Sequence, residues 1–204
     1  MKRVCLLSLA LVFLASVFLP GKTARGDEGK PLAGKKVALV IASEKFRDEE
    51  FKEPRNLLIQ AGATVIVASS KLSEATGMLG MKVKPDILLR DLNPQGLVAV
   101  LFIGGAGASE YFQNNAAHIL ARKVLEQGGI VGAICIAPVT LARAGLLKGK
   151  RATVFESEKK ELTKAGASYT GNPVETDGRI ITGNGPAAAG QFAQAVVNLL
   201  KQKK

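Results

Sequence analysis

Ile130-Val131-Gly132-Ala133-Ile134-Cys135-Ile136-Ala137-Pro138 is the stretch that decides how this chain reads. Gly128-Gly129 precedes five residues without a charge, then comes one cysteine, then helical spacing from about Ala137 to Ala144 that Gly145 stops. A short solid apolar run bounded by glycine is the pattern of a strand buried on both faces. Cys135 therefore falls at a strand-to-helix turn.

The same unit recurs outward from it. Lys36 to Ser43 (KVALVIAS), Thr64 to Ala68 (TVIVA) and Gly96 to Ile103 (GLVAVLFI) read as further buried strands. Phe46 to Gln60, with Phe51, Leu57 and Leu58 amid charges and a stop at Gly62, reads as helix, as does Tyr111 to Glu126. Between Ser69 and Leu92 the punctuation by Gly77, Gly80 and Pro85 predicts a small hairpin or excursion. Later strands are expected at Ala152 to Phe155 and Arg179 to Thr182, with Glu158 to Ala165 helical between them. Pro186 to Lys201 reads as a closing amphipathic helix. Strands alternating with helices predict an α/β fold, an open and mostly parallel sheet covered on both faces. Ligands of such sheets bind beyond the carboxyl ends of the strands, where Glu50, Gly104-Gly105 and Cys135 all fall.

The amino terminus reads differently. A basic start, Met1 to Arg3, precedes an uncharged run from Val4 to Pro20, the pattern of a secretory signal peptide. Ala24-Arg25-Gly26 offers small residues for cleavage before Asp27, which predicts a signal over 1–26, a polar linker over 27–34 and one domain over 35–204. The expected location is periplasmic or extracellular; a retained membrane anchor is the alternative, the run being a little short of the ~18–20 residues that span a bilayer. Cleavage removes Lys2, Arg3, Lys22 and Arg25 and no acid, so the formal charge falls from +11 to +7. The remaining lysines are interleaved with acids, aromatics are sparse and Trp is absent, which speaks against a specific nucleic-acid reader. Cys5 leaves with the signal, so Cys135 is then a lone thiol without a disulfide partner.

A cysteine at such a turn has two physical readings. The turn pushes the sulfur out of the sheet and the following helix presents unpaired N–H groups that stabilise a thiolate, with pKa values at helix N-termini often in the range ~3.5–7.5. Alternatively it is a buried structural cysteine acting as a small hydrophobe. Position alone does not choose between them. No His, Cys or acid cluster has metal-ligand spacing, and Gly104-Gly105-Ala106-Gly107 lacks the Lys-Ser/Thr of a phosphate loop. No cofactor is expected.

Four segments together resemble the ThiJ/PfpI family of the class I glutamine amidotransferase-like superfamily: Phe46 to Pro54 (FRDEEFKEP), Phe102-Ile103-Gly104-Gly105, Ala133 to Pro138 followed by Leu141 to Lys150, and Thr182 to Pro186 (TGNGP). The resemblance covers about Lys35 to Leu200. It implies a flavodoxin-like three-layer sandwich and a homo-oligomer, a dimer or larger. Cys135 matches the family nucleophile, and Glu50, through the spacing F-x-D-x-E-x-x-x-P, matches the carboxylate that hydrogen-bonds it. Without the resemblance Glu50 is equally an ordinary first-turn helix acid. Gly105 and Ile136 match the backbone amides of the family's oxyanion hole.

The departures concern histidine. PfpI-type peptidases carry one directly after the cysteine, where Ile136 stands; the deglycase branch carries one after the next strand, where Phe155 stands. His118, the only histidine, is expected to be a surface or packing residue. The resemblance thus implies a Cys135-dependent enzyme acting on small electrophiles such as reactive aldehydes, glyoxalase- or deglycase-like, in stress protection. The alternatives are a non-catalytic thiol sensor of oxidants, a cysteine peptidase disfavoured by Ile136, and a plain interaction domain.

Overall fold

The computed structural model describes residues 30–202, so the signal peptide read over 1–26 lies outside the described residues. Seven strands form the central sheet: β1 (Lys36–Val40), β2 (Thr64–Ser69), β3 (Ile87–Leu88), β4 (Leu97–Phe102), β5 (Ile130–Ile134), β6 (Val174–Asp177) and β7 (Ile180–Gly183). Their spatial order is β6-β7-β5-β4-β1-β2-β3, and every pairing is parallel except β6 on β7. The chain leaves β1 toward β2 and β3, then crosses to β4 on the other side of β1. That reversal puts a topological switch point between β1 and β4, where an open α/β sheet leaves a crevice.

Alternation along the strands builds two cores. Ala38, Val40, Val100, Phe102, Val131 and Ala133 face one way, toward α2 (Asn115–Glu126), α3 (Pro138–Arg143) and α4 (Lys159–Lys164). Val37, Leu39, Ala99, Leu101, Ile130 and Ile134 face the other, toward α1 (Asp48–Gln60) and α5 (Ala189–Lys201). Each central strand is therefore apolar on both faces, which is why its sequence reads as a solid run. The result is the flavodoxin-like three-layer sandwich with a mostly parallel sheet. Among the described residues no helix is long and apolar enough to cross a membrane.

Several boundaries differ from the expectation. The polar stretch read as a linker over 27–34 is part of the domain from at least Lys30. Leu32 is fully buried against the α1 face, and its N–H donates to the Ala61 carbonyl at 2.8 Å. One leucine anchors a segment that composition marks as loose. The helix expected from Tyr111 starts at Asn115, because the Asn114 side chain accepts the Ala117 N–H at 3.0 Å as an N-cap. Tyr111 closes a preceding 3-10 turn and donates its hydroxyl to the Ile41 carbonyl at 2.8 Å. The strand expected at Ala152 to Phe155 is shorter and begins one residue earlier, at Arg151–Ala152, paired with Ser168–Tyr169. The excursion after β2 is a hairpin, Ala75–Gly77 against Lys82–Val83, and its first strand pairs with Glu44–Phe46.

Candidate active site

The loops leaving β1, β4 and β5 meet over the switch point. Gly104, two residues after β4, is wedged so tightly that a Cβ there would lie 2.4 Å from Cys135 Cβ, 2.5 Å from Glu50 Oε2 and 2.7 Å from the Ile134 carbonyl. Those two side-chain atoms are thus no more than about 5 Å apart, across a residue that has none. Gly105 is as constrained: at φ 96° it packs under Lys45 and Arg47, and the Arg47 N–H donates to the Gly104 carbonyl at 2.9 Å.

Cys135 adopts φ 63°, a left-handed conformation that costs a non-glycine residue ~1–3 kcal/mol. Its neighbours on both sides hold it there. Its N–H donates to the Gly183 carbonyl at the end of β7, and its carbonyl accepts from the Phe155 N–H, both at 2.9 Å. The residue is 7% exposed. The Gly105 and Ile136 N–H groups are directed at the thiol and favour its ionised form.

Glu50 sits in the first turn of α1, fully buried. Its Oε2 accepts the Gly104 N–H at 3.1 Å. Its Oε1 has no hydrogen-bond partner among the described residues, and the Cys135 thiol lies beside the carboxyl, close enough to favour its ionised form. Burial pushes Glu50 up to about 7, against the smaller opposing pull of the thiol, the Gly104 N–H and the Arg47 charge. Burial, then the Glu50 charge, pushes the Cys135 thiol up to about 12, and the two N–H groups offset only part of this. The lowered thiol expected at a helix N-terminus is not what this site holds. The helix after Cys135 is six residues long, and desolvation beside a carboxylate outweighs it. Near neutral pH the pair holds one to two protons. In its singly charged form the charge rests on the carboxylate and the proton on the sulfur.

Phe155, standing where the resemblance puts a histidine, borders the elbow through its N–H. The residue is 45% exposed and lines a cleft of about 400 Å³ with Glu156, Tyr169, Asn184, Gly185 and Pro186. His118 is a packing residue in α2: buried, with Nε2 3.0 Å from the Phe112 carbonyl and a pKa lowered by that burial. Among the described residues no group of three or more His, Cys, Asp or Glu side chains is placed to hold a metal.

The DJ-1/PfpI family matches residues 35–199. The chain belongs to the DJ-1/PfpI family. An uncharacterised protein of Methanocaldococcus jannaschii is 37% identical over 99% of this chain and 98% of its own. A deglycase of Pyrococcus abyssi is 30% identical over 80% of this chain and 98% of its own. Among solved structures, the ThiJ/PfpI domain protein of Brachyspira murdochii superposes with a TM-score of 0.81 at 27% identity, over 85% of this chain and 99% of that one.

The structure brings Cys135, Glu50, Gly105 and Ile136 together, all four named from the sequence. It adds two residues of this DJ-1/PfpI chain that the sequence alone does not single out, Arg47 and Asp48, and it gives Gly104 a definite role. Gly104 is the spacer that lets thiol and carboxyl meet, although as the first of two glycines it reads only as a turn. Arg47 lays its guanidinium on Glu49 (Nε to Oε2 2.9 Å, Nη2 to Oε1 3.0 Å), next to the pair. Asp48 accepts the Leu79 and Met81 N–H groups at 2.9 and 2.8 Å, pinning the hairpin beside the site. The signal for Asp48 is present in the F-x-D-x-E spacing. Three consecutive acids at a helix start hide it as dipole-favoured charge.

Proposed function

We propose that this protein is a cysteine-dependent enzyme acting on small reactive aldehydes, with Cys135 as nucleophile and Glu50 as proton carrier. The observation that carries the reading is the buried carboxyl beside a lone elbow thiol, with two N–H groups directed at the sulfur. Sγ bonds to the aldehyde carbon while the C=O π pair moves to oxygen; the thiol proton passes to the Glu50 carboxylate and on to that oxygen. With a 2-oxoaldehyde, Glu50 then removes the C1 proton and returns it at C2, leaving a thioester of a 2-hydroxy acid. Water cleaves the thioester and restores the thiol. The net reaction is oxoaldehyde plus water to 2-hydroxy acid, with no outside oxidant or reductant.

Two observations favour this over the rival chemistries. A thiol that is 7% exposed suits a small substrate better than an extended peptide. A thiol raised by burial and by the Glu50 charge needs a partner to take its proton, which favours coupled addition over spontaneous oxidation at neutral pH. The general acid–base help of an imidazole, ~10²–10⁴ in rate, falls to Glu50. The test is methylglyoxal consumption and lactate formation by the purified protein. Cys135→Ala is expected to abolish both above the buffer rate; unchanged turnover refutes the reading.

The site is proposed to work outside the cytoplasm, in a homo-oligomer. Fractionation with intact mass should then find a periplasmic or secreted chain starting at Asp27, and light scattering a mass of at least two chains. The exposed Leu72, Met78 and Leu79 beside the hairpin supply apolar surface for such a contact.

A further inference from the structure

On the β2 side of the central sheet the edge is left open. β2 pairs with β1 along Thr64 to Ala68, but on its other side β3 covers only Ala68 and Ser69. The Thr64 N–H and the Ala68 carbonyl bond toward the β1 side, so in this parallel ladder the odd residues present their backbone groups outward. Val67 shows the alternation directly. Its N–H donates to Asp86 Oδ2 at 2.7 Å and its carbonyl accepts the Asp86 N–H at 2.8 Å. Asp86 thereby ends the ladder as a substitute strand. Val65, one step further along, has its N–H and C=O on the same open edge with no such partner among the described residues.

That edge floors a groove of about 510 Å³, within the ~300–1,000 Å³ of ordinary ligand clefts. One wall is α1, through Phe51, Lys52, Arg55 and Asn56; the other is the segment Met81 to Lys84, which includes the second strand of the hairpin. The floor is apolar: Phe51, Val65, Val67, Met81 and Val83. The rim is basic: Lys52, Arg55, Lys82 and Lys84, all exposed. Lys82 reaches Glu74 at 3.9 Å and Thr76 at 2.7 Å. Lys52, Arg55 and Lys84 have no acidic partner among the described residues, and Asp86, the single acid of the lining, is committed to Val67.

We infer that this groove binds an acidic peptide segment in extended conformation, added as a strand along Val65. An unpaired edge N–H and C=O supply backbone bonds, and alternate apolar side chains fit the floor. Carboxylates at the intervening positions answer cations that the fold leaves unpaired. Three unpaired cations around an open sheet edge also repel other basic chains, this one included, and so keep the edge from pairing with them.

The experiment uses the full chain and a fluorescein-labelled decapeptide of alternating Glu and Val, read by anisotropy at low salt, with amide exchange at Val65 followed by NMR. Saturable binding that slows Val65 exchange is expected. Methylating the backbone nitrogens of one alternate set of peptide residues should weaken binding about tenfold, and methylating the other set should leave it unchanged, because one set faces the edge. The double charge reversal Lys52→Glu/Lys84→Glu, checked for an unchanged melting curve, should weaken it about tenfold as well. Equal effects of the two methylated peptides would overturn the inference, leaving charge attraction alone. So would no binding, or a groove closed by a second copy, seen as self-association that competes with the peptide.

Discussion

Glu50→Gln is the substitution that most directly reads the energetics of the site. The folded protein holds the Glu50 carboxyl at about 7 against an ordinary 4.5, so between these values the native state binds a proton that the unfolded chain releases. A raised carboxyl contributes its stability in full below the unfolded value and loses it as pH rises through the folded one. The gap corresponds to a cost of about 3 kcal/mol above pH 7, which a neutral amide does not incur. The substituted glutamine keeps an oxygen for the Gly104 N–H but leaves an amide NH₂ beside the thiol, a buried donor that costs about 1–3 kcal/mol. That cost does not vary with pH, so the slope is the measure. Urea unfolding of both proteins from pH 4.5 to 8 should show the variant gaining steadily on the wild type, by about 3 kcal/mol over the range. In melting temperature this is roughly 6–12 °C for a domain of this size. A difference that stays flat with pH, or that grows toward acid, would refute a buried carboxyl raised by desolvation.

Two further outcomes rest on the same geometry. Aldehyde turnover, as kcat/KM in steady-state assays, should rise through about pH 7 as Glu50 ionises and becomes able to accept the thiol proton, and Glu50→Gln should remove that limb along with most of the rate. Gly104→Ala should cost about 1–3 kcal/mol in urea midpoints and abolish turnover, since its methyl has no room between Cys135 and Glu50. Gly190→Ala, in open space on α5, serves as the control and should stabilise by about 0.5–1 kcal/mol.

The legible parts of this fold are those where local pattern and burial agree. β1, β4 and β5 are apolar on both faces, so a run of valines, leucines and isoleucines reports them directly, and β5 emerges at the residues read from the sequence. β6 escapes such a reading because Val174–Asp177 alternates with acids, the signature of an edge. Its Glu175 is buried but satisfied by Asn172 Nδ2 at 2.9 Å and Arg151 at 3.2 Å. The clue lies in the turn. Gly178-Arg179 joins Asp177 to Ile180 as a two-residue hairpin loop with glycine at the positive φ of 62°. At the site, the strand-to-helix turn locates the thiol and the family resemblance the carboxyl, but neither gives their protonation. A helix N-terminus is visible in sequence; the desolvation that overrides it depends on how Gly104, Gly105 and Ile134 close around the sulfur.

Protonation is also where the missing histidine finds its replacement. Ile136 and Phe155 stand where the family resemblance puts an imidazole, and His118 is tied to Phe112, so no side chain with an ordinary value near neutrality serves the thiol. A carboxyl in water titrates too low to share protons with a sulfur at pH 7. Burying it without a partner on Oε1 moves it to about 7, where an imidazole would be. The same burial raises the thiol, so neither group is useful alone: the carboxylate lacks another proton to take, and the thiol lacks another base. Their chemistry is therefore that of a pair. The spacer glycine that brings them together is as much a requirement of it as either side chain.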